Sequence, residues 1–242
     1  MPLSWLDPDA IGFPAVDTAL TDPNGLLAVG GDLTPGWLVH AYQHGIFPWY
    51  EAGQPILWWS PDPRMVLFPA ELHVSRSLRK LLRQQPFRLT MDQNFSGVIN
   101  ACGSVRGRSE GTWITSELKA AYQRLHGLGI AHSVEAWEGE RLVGGLYGLA
   151  LGQVFFGESM FSSSSNSSKV ALVFLVEHLR KWGYGLIDCQ VASAHLASLG
   201  AREIPRRRFT ELLDRLIDGH SRPCYWPEPE PWQAESEPGN EL

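Results

Sequence analysis

Residues 132–191 read HSVEAWEGERLVGGLYGLALGQVFFGESMFSSSSNSSKVALVFLVEHLRKWGYGLIDCQV. Apolar and polar residues alternate from His132 to Trp137, the period of a strand with one buried face. Glu138-Gly139-Glu140 turns the chain, and Arg141 to Leu151 and Gln153 to Ser159 supply two further strands. The serine run from Ser162 to Ser168, interrupted by Asn166, predicts a flexible loop. Lys169 to Trp182 then predicts a mostly buried helix. Gly185 to Val191 predicts an apolar strand with Asp188 and Gln190 on the same face. Antiparallel strands, a long helix and one more strand make this an α/β (α+β) chain with a mostly antiparallel mixed sheet.

Upstream, residues 1–35 are rich in Gly, Pro and Asp and predict loops and short strands. Thr34-Pro35 offers an N-cap and an N1 proline to a helix over Leu38, Ala41 and Tyr42, closed by Gly45. Residues 47–63, FPWYEAGQPILWWSPDP, predict tight turns, with a domain boundary at Asp62-Pro63. Ser75 to Arg83 predicts a helix with Leu78, Leu81 and Leu82 on one side and Arg76, Arg79, Lys80 and Arg83 on the other. A strand over Phe87 to Met91 and a helix over Phe95 to Cys102 follow. Thr115 caps another helix that Gly127 and Gly129 stop near His126. Downstream come a short helix from His195 to Leu199 and a final one from Arg208 to Ile217. The Pro-rich residues 223–242 predict an extended or flexible tail. The organisation is therefore a small N-terminal domain, 1–62, a larger domain, 63–222, and an acidic tail, 223–242.

Of 242 residues, 44% are hydrophobic and 19% charged, which suits one large or two small domains and opposes wholesale disorder. No apolar run approaches the roughly 20 residues of a membrane span. The start, MPLSWLDPDAIGFP, lacks a basic region and an apolar run, so no secretory signal is expected. Cys102, Cys189 and Cys224 lie far apart without a CxxC pair. That excludes a disulfide scaffold and a cysteine zinc cluster and fits a reducing cytoplasm.

The net charge of −6 conceals a division. Residues 1–63 hold seven acids and no Lys or Arg, and residues 223–242 hold five glutamates and no basic residue. All 20 basic residues therefore fall within 64–222, against 14 acids. Arg64, Arg76, Arg79, Lys80, Arg83 and Arg88 cluster against Glu71 alone, and Arg202, Arg206, Arg207 and Arg208 form a second group. Such clusters are either the footprint of a polyanion or solvated helix faces.

The order of elements suits a CoA-type N-acyltransferase core (GNAT-like). In that core a Gly-rich turn before the central helix holds the CoA pyrophosphate. Here the serine run stands at that place without a glycine, which points to an acyl carrier other than CoA. Asp188 and Gln190 are either a polar pair at a reacting centre or a hydrogen-bonded strand end. Glu158, inside FFGESMF, is either paired or functional. Trp49, Trp58, Trp59 and Trp113 could stack on nucleobases, although two of the four are expected in the core, and Tyr42 shares the ambiguity. His126 and His132 lack metal spacing and read as structural. Gly144-Gly145-Leu146-Tyr147-Gly148 is no dinucleotide fingerprint, and GESMF is no nucleophile elbow.

A set of ordered blocks over about residues 13–215 resembles the bacterial leucyl/phenylalanyl-tRNA–protein transferase family. The blocks are Phe13-Pro14, PNGLLAVGGDL (23–33), AYQHGIFPW (41–49), WWSPDPR (58–64), GTWIT (111–115), GESMFS (157–162), Asn166 with Ser168-Lys169, IDCQ (187–190), SLG (198–200) and IPRR (204–207). The tail lies outside the resemblance.

The resemblance implies a small N-terminal domain and a GNAT-like C-terminal domain. It implies transfer of Leu or Phe, and less well Met, from aminoacyl-tRNA to the N-terminal Arg or Lys of acceptor proteins. The product would be an N-degron for the N-end rule. An aminoacyl ester is already activated, so no CoA, ATP or metal is expected, and neither is a membrane partner. Asp188 and Gln190 are implied as catalytic: the resemblance has Gln190 take up the attacking amine's proton with Asp188 assisting. A neutral amide is a very poor base, so positioning and polarisation of the amine, with the tRNA ribose hydroxyl sharing its proton, is the preferred reading. Glu158 is implied to meet the aminoacyl α-amino group, and Leu146, Met160, Leu172 and Ile187 to line an apolar side-chain pocket. Leu175 stands where an aromatic can occur. Trp49 and Trp113 would hold the 3′-terminal adenosine with Tyr42 close by. Arg76, Arg79, Lys80 and Arg83 would grip tRNA phosphates. A CoA-dependent acetyltransferase and a non-catalytic tRNA-binding protein are the alternatives.

Overall fold

A computed structural model describes residues 3–106, 114–217, 226, 227 and 229. Strands β1 (Ser4–Leu6) and β2 (Leu26–Gly30), helix α1 (Pro35–Gln43), and strands β3 (Phe47–Pro48) and β4 (Leu57–Trp59) come first. Their strands form one sheet in the order β1-β2-β4-β3, with β1 parallel to β2. α1 starts at Pro35 as Thr34-Pro35 predicts, and Gly45 follows it at φ 74°, a left-handed conformation that favours glycine. The helix buries Trp37, Leu38, Ala41 and Tyr42.

Then follow β5 (Arg64–Leu67), α2 (Arg76–Gln84), β6 (Arg88–Met91), α3 (Phe95–Arg106), α4 (Ser116–Gly127), β7 (Ala131–Glu138), β8 (Arg141–Leu151) and β9 (Val154–Ser162). Last are α5 (Ser167–Lys181), β10 (Leu186–Gln190), α6 (Ala194–Ala197), β11 (Arg202–Ile204) and α7 (Arg206–Leu216). These strands form a seven-stranded sheet, β11-β5-β10-β9-β8-β7-β6. It is antiparallel except where β10 runs parallel to β9, the mixed sheet anticipated. α5 supplies the crossover that a parallel pair requires. It lies on one face with Leu82 of α2 and Tyr184. The other face packs α3, α4 and α7 together with α1, so one apolar cluster spans both sheets.

Thr115 caps α4 as read, its Oγ1 accepting from Leu118 N at 3.2 Å, whereas Thr34 makes no side-chain cap bond to α1. Ser75, not read as a cap, has its Oγ accept from Leu78 N at 3.3 Å; such caps contribute about 1 kcal/mol each.

Several expectations need correction. The serine run is a pinned turn rather than a flexible loop. β9 runs to Ser162 and α5 begins at Ser167, whose side chain is buried with its Oγ 2.8 Å from the Val143 carbonyl. Gly144 permits this approach, because a Cβ there would collide with Ser167 Oγ. Neither β5 nor β11 shows the alternation of a half-exposed strand. β5 lies between β11 and β10 and is buried at all four residues, Arg64 included, so no face of it meets solvent. Arg64 consequently leaves the exposed basic cluster. Arg206 leaves the second cluster too: it opens α7, donates from its backbone to Asp62 Oδ1 at 3.0 Å and from its guanidinium to the Ser60 carbonyl. Trp226 of the tail is held: it stacks on His132 with ring centroids 4.0 Å apart and donates to the Tyr184 hydroxyl. The alternating pattern shows nothing of this, because the docking joins residues far apart in sequence.

Candidate active site

A cavity of about 530 Å³ opens where β8, β9 and β10 meet α5 and the β3 segment. Leu146, Met160, Leu172 and Ile187 form its apolar wall, and Glu158, Asp188 and Gln190 lie on it as well. All seven positions singled out in sequence therefore converge. Leu175 does not line the cavity; it is buried in the core. Trp49 sits on the cavity, 43% exposed, with its ring 5.6 Å from that of Trp59. Trp58 is buried in the core, donating from Nε1 to the Gly30 carbonyl, and Trp59 is partly buried against it. Trp113 lies outside the described residues.

Asp188 and Gln190 reach the cavity through a bulge, not through plain alternation. The register of β10 against β5 shifts between them, and Gln190 has φ 60°. Asp188 is fully buried. Its Oδ1 accepts from Arg64 Nε at 2.8 Å and its Oδ2 from Arg64 Nη2 at 2.6 Å. Oδ1 also accepts from the Gln190 backbone N–H at 3.0 Å, so the carboxylate pins the bulge. Arg64 is itself held between the rings of Phe47 and Phe209, at 4.8 and 4.6 Å. Sequence reading missed Arg64 as a site residue. Its only signals were the WWSPDPR block and a strongly apolar continuation, MVLF.

Gln190 Nε2 donates to Glu158 Oε1 at 3.1 Å, which orients the amide and leaves its carbonyl oxygen for a ligand. Glu158 has two further partners: the Tyr42 and Tyr122 hydroxyls lie 2.7 Å from Oε1 and Oε2 respectively. Burial pushes Glu158 up to about 7, against the partial relief of these hydroxyls. Burial, followed by the nearby Glu158, holds both tyrosines well above the ordinary phenol range. Tyr42, expected beside an adenosine, is fully buried and offers no ring face for stacking.

Arg76, Arg79, Lys80 and Arg83 lie on the exposed side of α2, opposite the buried Leu78 and Leu82. Arg79 also donates to the Val74 carbonyl. In the turn before α5, the Ser163 and Ser164 amides both donate to the Val143 carbonyl, and the Ser167 amide to the Ser164 carbonyl. His132 bonds Asp92 at 2.7 Å, and His126 lies 2.8 Å from the Ala131 carbonyl, in keeping with structural roles. Among the described residues no helix is long and apolar enough to cross a membrane.

The family profile described as Leucyl/phenylalanyl-tRNA protein transferase matches residues 66–214, and that of its N-terminal domain matches 31–62. The chain belongs to this family. Curated Leucyl/phenylalanyl-tRNA--protein transferases are similar over nearly their whole length. That of Azotobacter vinelandii is 61% identical over 216 residues, 89% of this chain and 96% of its own. That of Ectopseudomonas mendocina is 59% identical over 220 residues, 91% and 97% respectively. That of Pseudomonas aeruginosa is 61% identical over 216 residues, 89% and 96%. Among solved structures, a GCN5-related N-acetyltransferase from Kribbella flavida covers 70% of this chain and 60% of its own at 11% identity. Its TM-score of 0.35 is too low to carry an argument. Membership in the leucyl/phenylalanyl-tRNA–protein transferase family makes the chain an aminoacyltransferase.

Proposed function

We propose that this enzyme moves Leu or Phe, and less well Met, from aminoacyl-tRNA to the N-terminal Arg or Lys of acceptor proteins. The product is an N-degron read by the N-end rule in the cytoplasm. The observation that carries this reading is an apolar cavity ending in the hydrogen-bonded Glu158 and Gln190. The Leu or Phe side chain fills the space between Leu146, Met160, Leu172 and Ile187, and its α-amino group meets Glu158. An apolar wall separates similar apolar side chains only weakly, which suits a mixed specificity.

The incoming α-amine attacks the ester carbonyl. A C–N bond forms, the C–O bond to the ribose breaks, and the amine's proton passes to the leaving oxygen. Gln190 accepts an N–H of the attacking amine through its carbonyl oxygen and so orients the lone pair. Asp188 is committed to Arg64 and acts by placing Gln190, not as a base. The ester is already activated, so the step needs no ATP or metal. The turn before α5 carries no glycine where a CoA pyrophosphate would sit, which supports an acyl carrier other than CoA. Trp49 and Trp113 hold the 3′-terminal adenosine. Residues 1–62 form the N-terminal unit, 63–222 the transferase unit and 223–242 the tail.

The test is transfer of radiolabelled Leu from charged tRNA to a peptide beginning with Arg, beside one beginning with Ala. Label on the Arg peptide alone, without ATP or CoA, is expected; no label from folded enzyme overturns the reading. The α2 face is the proposed phosphate grip. Arg76→Ala with Lys80→Ala should weaken tRNA binding and flatten its salt dependence, by about 0.9 log units per log unit of salt for each duplex phosphate left without its cation. An unchanged slope would take this face out of the interface.

A further inference from the structure

Three oxygen–oxygen contacts close a ring at the end of the cavity. Tyr42 lies 2.7 Å from Glu158 Oε1, Tyr122 lies 2.7 Å from Glu158 Oε2, and the two hydroxyls lie 2.7 Å from each other. Each contact is of hydrogen-bond length and needs one proton. The two tyrosines hold two. With Glu158 as a carboxylate, one of the three contacts would press lone pairs together among buried apolar groups. A protonated Glu158 supplies the missing proton. The ring then runs in one sense: Glu158 to Tyr122, Tyr122 to Tyr42, and Tyr42 to the other Glu158 oxygen. Gln190 Nε2 is a donor and is satisfied in either state.

We propose that the free enzyme holds Glu158 as a neutral acid, with Tyr42 and Tyr122 as positioning residues that store its proton for the α-amino group of the incoming aminoacyl ester. On binding, the Glu158 O–H bond breaks and an N–H bond forms on a neutral substrate amine. The result is a carboxylate–ammonium pair, with no electrons exchanged and no proton taken from solvent. An amine that arrives already charged must release one proton to solvent as Glu158 ionises.

The surrounding charges allow this. β5 brings Arg64 and β10 brings Asp188; they act on Glu158 in opposite directions and neutralise each other as an ion pair. α1 contributes Tyr42 and α4 Tyr122, both held well above the ordinary phenol range, and β8 contributes the phenol of Tyr147. The burial that raises Glu158 to about 7 works in the same direction as the proton count.

The identity of the incoming amine rests on the function proposed above. The protonation of the free enzyme does not, so it is tested without substrate. Isotope-edited infrared spectroscopy of the free enzyme should show a protonated carboxyl band near pH 6. The band should fade as pH rises through neutrality and be absent from Glu158→Gln. Glu158→Gln retains three ring protons, because its amide donates to Tyr122 and accepts from Tyr42, and it serves as the folded control. Tyr122→Phe separates the ring from simple donation. If Tyr122 only donates to a carboxylate, its loss moves the Glu158 midpoint up. If it closes the ring, its loss removes the lone-pair clash and moves the midpoint down. A downward shift, matched by a downward shift in the pH dependence of KM for aminoacyl-tRNA, is expected. An ionised Glu158 at pH 6, or an upward shift in Tyr122→Phe, overturns the proposal.

Discussion

Arg64→Met should destabilise the enzyme by about 3–5 kcal/mol and leave little transfer activity. Both Arg64 and Asp188 are fully buried, and they meet through two short bonds. Removing the guanidinium leaves a carboxylate without water and without its counter-charge. Its desolvation cost, no longer offset, is what makes breaking such a pair expensive. The damage extends to chemistry because Asp188 Oδ1 also holds the Gln190 backbone N–H. A carboxylate that turns away from this site releases the bulge on which Gln190 stands. Urea unfolding monitored by tryptophan fluorescence measures the first effect. Adding Asp188→Leu to Arg64→Met should recover most of the stability, since no charge is then left buried, yet recover no turnover. A loss below about 1 kcal/mol in the single variant would mean that the pair does not anchor this strand.

Gln190→Gly should uncouple stability from activity. Gln190 is a non-glycine residue at φ 60°, in the left-handed region, which costs roughly 1–2 kcal/mol for an L side chain. Glycine relieves that strain and loses one hydrogen bond to Glu158, so the unfolding free energy should stay level or rise by up to about 1 kcal/mol. Turnover should fall by roughly 10²-fold or more, because the group that orients the attacking amine is gone and small misplacements cost that much. The KM for aminoacyl-tRNA should change little, since the apolar wall and Trp49 are untouched. Single-turnover transfer from charged tRNA separates the two quantities. Full turnover in this variant would show that the strained backbone serves something other than the side chain it carries.

The fold was legible where long runs are bounded by turn residues. β7, β8 and β9 with α5 and β10 were read within a few residues from the alternation of His132 to Trp137, the turns between the strands and the length of the apolar runs, although β7 and β8 are buried over most of their length. β5 was missed because it is only four residues long and opens on an arginine, too short a run for a period to show. The turn at 162–168 was misread because serine composition resembles a linker. What orders it is the close approach of Gly144 to Ser167 from another strand. In the site, the four apolar wall positions and the polar trio were legible as a set, and they share one cavity. Their wiring was not legible. Charge counting placed Arg64 on the surface, and the resemblance placed Tyr42 at an adenosine.

By itself the sequence determined the family, most of the helices and the order of strands β6 to β10, and it marked Glu158, Asp188 and Gln190 as polar residues among apolar ones; the wall positions came through the resemblance to that family. Each is a local pattern or an ordered set of local patterns. Only the tertiary structure decided that Arg64 neutralises Asp188 from 124 positions away and that Tyr42 and Tyr122 enclose Glu158 from 116 and 36 positions away. It also decided that Trp226 docks on His132. Such contacts depend on which elements pack together. The free energy of a buried polar group depends on whether its partner arrives, and a chain read one residue at a time does not record that.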